Sequence, residues 1–155
     1  MLLAGCGFQP IYEWKGKRHP AADLANIEIT IIKDRVGQQL RNFLLDKINP
    51  MGTPISPNYT LTVVLNQKKQ NLALKKNQLS TRANLSFNSQ FNLIGKKENL
   101  GRSFSGSSKI IVSYNILNSQ FATLVAEDNA KTRAVKEISA DISNQIAAFL
   151  QSYYN

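Results

Sequence analysis

Ala83, Leu85, Phe87, Phe91 and Leu93 alternate with Arg82, Asn84, Ser86, Asn88, Gln90 and Asn92. A period of two puts the two sets on opposite faces of a strand, so one face must meet a core and the other a polar medium. The same rhythm precedes this stretch in Tyr59, Leu61, Val63 and Leu65, set against Thr60, Thr62 and Asn66. It returns after a turn from Gly95 to Gly101, with Phe104, Ile110 and Val112 on the inner side. Three strands of this kind make an antiparallel sheet covered on one side only.

The cover has the helical period. Val36, Leu40, Phe43, Leu44 and Ile48 share one face of a first helix, with Asp34 as its expected N-cap. Asn49-Pro50-Met51-Gly52 ends it. From Ser119 a second stripe opens with Phe121, Leu124 and Val125 and continues through Val135, Ile138, Ile142, Ile146, Phe149 and Tyr153. The stripe thins over Asn129 to Thr132, where a bend or an exposed stretch is expected. Ahead of the first helix, Ile27, Ile29 and Ile31 alternate within a strand from Asn26 to Ile32. The predicted fold is α+β, in the order β-α-β-β-β-α. Two helices lie on one face of a four-stranded mixed sheet, and the β-α-β start makes a right-handed crossover. Residues 26–155 read as a single domain, preceded by two short segments, 1–5 and 6–25.

The net charge of +9 is confined to the middle of the chain. From Lys47 to Ala126 there are ten bases and one acid, Glu98, while the rest of the chain balances. Such an excess is a directed field rather than general solubilisation. It is densest in the hairpin connection from Gln67 to Ser80, where Lys68, Lys69, Lys75 and Lys76 stand among Leu72 and Leu74 with no acid in the same stretch. Lysine pairs with phosphate as a point charge, and leucines suit acyl chains, so these six residues are the candidate site for an anionic amphiphile. Arg82, Lys96, Lys97 and Arg102 are secondary basic candidates. A plainer role for the lysines is to keep a hairpin edge soluble and unpaired. Nucleic acid is not the expected partner, because Phe87 and Phe91 share parity with Leu85 and Leu93 and leave no aromatic platform for bases.

Catalytic chemistry finds no constellation. His19 is the only histidine and sits between Arg18 and Pro20, and Cys6 is the only cysteine. No zinc or nucleophile–base cluster can be built from these. There is no glycine-rich phosphate loop and no Gly-x-Ser-x-Gly elbow. Glu127, Asp128, Glu137 and Asp141, interleaved with Lys131, Arg133 and Lys136, read as a solvated helix face. The expectation is a protein without enzymatic activity, cofactor or metal.

Leu3-Ala4-Gly5-Cys6 resembles the lipobox of a bacterial lipoprotein, in which the signal is cut before the cysteine and the sulfur carries lipid. A secretory signal also needs a basic region and a longer apolar region. Only Met1-Leu2 precedes the motif, so residues 1–5 read as residual signal whose upstream part is expected to have been trimmed or to begin earlier, and 6–25 as a lipidated N-terminus and linker. One acyl chain anchors weakly, and the multiply acylated cysteine of such lipoproteins meets that need. Taken together, three segments resemble the LPS-assembly lipoprotein LptE family in its alphaproteobacterial form. They are Leu3 to Tyr12, Arg35 to Leu44 and Ser113 to Glu127, with Tyr59-Thr-Leu and Thr81-Arg-Ala in order between them. The resemblance implies residence in the outer membrane, a 1:1 plug inside the LptD barrel, and lipopolysaccharide binding. Gly7 in place of an aspartate fits outer-membrane sorting. The competing expectation is a periplasm-facing auxiliary lipoprotein of a lipid ABC transporter or another envelope complex.

Overall fold

The third strand of the sheet sets the architecture, because its alternation decides which side is buried. In the computed structural model, which describes residues 20–71, 82–96 and 101–152, β3 (Arg82–Gly95) buries Ala83, Leu85, Phe87, Ser89, Phe91 and Leu93. Its neighbours are β2 (Tyr59–Asn71) and β4 (Ser103–Asn115), both antiparallel to it. A short β1 (Ile27–Ile29) pairs in parallel with β2, giving the order β1-β2-β3-β4. Two helices cover the inner face, α2 (Arg35–Ile48) and α3 (Gln120–Gln151). The expected α+β fold, with its β-α-β-β-β-α order, is therefore the observed one, with one small addition. Residues read as linker contribute α1 (Pro20–Ala25), which the Asn49 side chain ties to the end of α2 by donating to the Ala25 carbonyl at 2.9 Å.

The core lies between sheet and helices. Leu40, Leu44 and Ile48 from α2, and Ala134, Val135, Ile138, Ile142, Ile146 and Leu150 from α3, meet the inner residues of β2 and β3. Phe43 is half-buried against this cluster. At the β4 side Phe104 stacks on Phe149 at 4.7 Å and meets Phe91 edge-on at 5.7 Å. Ile110 and Val112 are half-buried against the core on the expected face.

Four local expectations are corrected. The first strand stops at Ile29, and Thr30 N–H donates to the Leu61 carbonyl at 3.0 Å as the chain turns away. That turn exposes Ile31 and buries Ile32 instead. Asp34 does not cap α2 with its side chain and holds φ at 68°. The Gln38 amide closes that turn by donating to the Ile32 carbonyl. The stretch from Asn129 to Thr132 is not an exposed break but continuous helix within α3, because the stripe thins there only in side-chain size. Ala130 is fully buried, and Thr132 accepts a hydrogen bond from Gln39 of α2 at 2.9 Å. Lastly, Phe121, Leu124 and Val125 do not join the core but are exposed.

Candidate functional site

The uncovered face of the sheet is built from the even residues of β2 and β3 and the odd residues of β4, as the register requires. Thr60, Thr62, Asn66 and Gln70 line it from β2. Asn84, Ser86, Asn88, Gln90 and Asn92 follow from β3, and Ser103, Ser105, Ser107, Ser113 and Asn115 from β4. Cross-strand hydrogen bonds knit the face at two rows, with the Ser105 hydroxyl donating to Asn92 at 2.9 Å and the Ser113 hydroxyl to Asn84 at 2.7 Å. Its charges on these strands are Lys68, Arg82 and Lys109, its apolar members are the separated Val64, Ile94 and Ile111, and it carries no aromatic. Such a surface can exchange hydrogen bonds over its whole length without offering an apolar patch to water.

The two sheet edges differ. On β4 the carbonyl of Ser107 accepts from Gln145 at 3.2 Å, and that of Ser113 accepts from Arg133 at 3.4 Å. Side chains of α3 thus occupy outward backbone groups of this edge. β1 covers β2 only as far as Leu61. Beyond it a groove of about 380 Å³ lies between Ile31 to Asp34 and Thr62 to Asn66.

Among the described residues the basic candidates do not form one cluster. Lys68 and Lys69 are consecutive strand residues, so they leave on opposite faces. Lys68 stands opposite Ser86 on the open side, while Lys69 stands opposite Leu85 on the helix side. There Lys69 Nζ donates to Glu127 Oε2 at 2.7 Å and lies 5.5 Å from the centre of the Tyr114 ring. An acid distant in sequence therefore stands beside Lys69, although the stretch itself holds none. Arg82 is level with Asn115 at one end of the sheet. Lys96 is at the other end, about 45 Å away by strand rise, and is ion-paired with Glu28. Arg102 is near Lys96, its carbonyl accepting from Gly95 N–H at 2.9 Å. Cys6, Leu72, Leu74, Lys75, Lys76 and Lys97 lie outside the described residues.

Sequence reasoning missed the polar centre that gathers around Glu127. Its carboxylate accepts from Lys131 at 2.7 Å, from Lys69 at 2.7 Å and from the Tyr114 hydroxyl at 2.8 Å. The Lys131 and Lys69 hydrogen bonds, helped by that of Tyr114 and opposed by burial, hold Glu127 at about 2. Lys69 is raised in turn, chiefly by its bond to Glu127, and Tyr114 is raised chiefly by burial. The i,i+4 spacing of Glu127 and Lys131 was visible in the sequence, but the two long-range partners were not.

Three solved structures give this architecture a setting. A Caulobacter crescentus protein assigned as a lipoprotein superposes with a TM-score of 0.71 at 20% identity, over 85% of this chain and 96% of that one. The uncharacterized lipoprotein B of Nitrosomonas europaea gives 0.55 at 14% identity, over 81% and 86%. The rare lipoprotein B of Shewanella oneidensis gives 0.52 at 12% identity, over 83% and 95%. The fold is shared with bacterial lipoproteins. No family model matches the chain, and no curated protein matches its sequence.

Proposed function

We propose that this protein is an outer-membrane lipoprotein, anchored through Cys6, that plugs the LptD barrel at 1:1 and binds lipopolysaccharide during export. The observation that carries this reading is the open sheet face. Three strands present Asn, Ser, Thr and Gln with few charges and no aromatic ring. The lumen of a large membrane barrel is polar, so a plug needs hydrogen-bonding side chains rather than an apolar surface. The lipobox at Leu3 to Cys6 and the fold shared with bacterial lipoproteins support the same reading. The role is one of scaffolding and ligand binding, without catalysis, cofactor or nucleic acid.

The test is purification from detergent-solubilised envelopes through a C-terminal tag. The expected result is recovery of a large outer-membrane barrel in equal amount, with lipopolysaccharide, and acyl chains on Cys6 by intact mass. Recovery of ABC transporter subunits instead would favour the auxiliary-lipoprotein role. An unlipidated Cys6 in the processed protein would refute the anchor.

A further inference from the structure

The first turns of α3 carry an apolar stripe that nothing among the described residues covers. Phe121, Leu124 and Val125 lead, at helical spacing, into the same stripe that Val135, Ile138 and Ile142 bury in the core. Their exposure follows from helix length. Arg35 of α2 is level with Asp128 of α3, and Gln39 is level with Thr132, so the helices run parallel at a constant offset. Since α2 begins at Arg35, the eight residues from Gln120 to Glu127 project past it, a ledge about 12 Å long. Here Phe121 is 77% exposed, Leu124 63%, Leu117 49% and Val125 44%. The ledge is a built feature. Thr123 Oγ1 donates to the Leu117 carbonyl at 3.1 Å and accepts from Leu117 N–H at 2.9 Å, and Ser119 caps the helix through Ala122 N–H.

Charge surrounds the inner end of the ledge. Arg35, Lys69 and Lys131 stand against two carboxylates, Glu127 and Asp128, and Arg133 lies nearby on the Ser113 carbonyl. The Arg35 side chain is 91% exposed and only loosely paired, 3.9 Å from Asp128. The neighbourhood therefore suits an anionic group beside an apolar one. Three side chains on one helix and Leu117 just ahead of it fall well short of the roughly 800 Å² that each partner gives to a stable protein interface, whereas a narrow stripe fits alkyl chains.

We propose that this ledge seats the acyl chains of an anionic amphiphile, with its phosphorylated head turned toward Arg35. The inference deepens the lipopolysaccharide reading and rests on it. Lys69 and Glu127 bring the end of β2 to the same end of the molecule as the ledge.

The experiment measures binding of bis-phosphorylated lipid A in dodecyl maltoside micelles, and of the same disaccharide bisphosphate stripped of acyl chains. The full-length protein is compared with Phe121→Ser/Leu124→Ser and with Met51→Ser, a control at a fully exposed residue on the α2–β2 connection. The double variant should bind lipid A at least about tenfold more weakly, and the control should match the parent. Both variants should bind the deacylated disaccharide as the parent does, and melt within about 2 °C of it, because the altered side chains are exposed. Equal lipid A binding by parent and double variant would overturn the ledge and leave the wider reading standing. A parent that binds no lipid A would overturn both. A large drop in melting temperature with lipid binding unchanged would mean that the chain covers the ledge itself, and that also refutes the proposal.

Discussion

Replacing Glu127 by Gln keeps the size of the side chain and removes its charge from a site where three donors converge. The carboxyl is held at about 2 against an ordinary 4.5. Taken whole, such a displacement corresponds by linkage to about 3 kcal/mol. The carboxylate is only 14% exposed, but Lys69 is 46% exposed and water screens its share. About 1–2 kcal/mol at neutral pH is therefore the expected loss. The pH dependence has a definite sign. A carboxylate with a depressed folded pKa stabilises fully above its unfolded value, and the contribution fades as pH falls through the folded one. The parent should thus exceed Glu127→Gln in urea melts at pH 7, and the gap should close between about pH 5 and pH 2. In thermal melts at pH 7 the gap should be roughly 3–8 °C. Lys69→Met should cost less in the Glu127→Gln background than in the parent, since the two share one interaction. Parent and variant curves that stay parallel from pH 7 to pH 2 would refute the account of this centre.

Two further outcomes check the packing. Phe87→Ala, at a fully buried ring, should cost about 3–5 kcal/mol, whereas Asn88→Ala on the open face should stay within about 0.5 kcal/mol in the isolated protein. Urea titration decides, and equal losses would mean the assigned faces are wrong. A Cβ at Gly106 would meet the Phe91 ring and, at 2.8 Å, Gln145 Oε1. Gly106→Ala should therefore cost about 1–3 kcal/mol in the same titration by overpacking, and a neutral result would contradict the close approach of α3 to β4.

The sheet was legible because its information is local. Parity alone put Phe87 and Phe91 inside and Asn84, Asn88 and Asn92 outside. The helices were legible in position but not in reach, since a stripe such as Phe121, Leu124 and Val125 reads the same whether a neighbouring helix covers it or stops short. That α2 starts level with Asp128 is a tertiary fact, as are Tyr114 and Lys69 meeting Glu127 across the fold. The basic segment was legible as charge but not as arrangement, for a related reason. Neighbours in sequence, Lys68 and Lys69, are separated by the pleat, and Arg82 and Lys96 by the length of β3. Ile31 was misplaced because a three-residue strand ends before its alternation does.

The central claim is that the open sheet face lies against a barrel lumen. Photo-crosslinking in intact envelopes tests it most directly, with the reactive residue at Asn88 on the sheet face or at Glu137 on the exposed side of α3. The account predicts a strong crosslink from Asn88 to a large outer-membrane β-barrel. No barrel adduct from Asn88, or capture of an inner-membrane transporter subunit in its place, would contradict it.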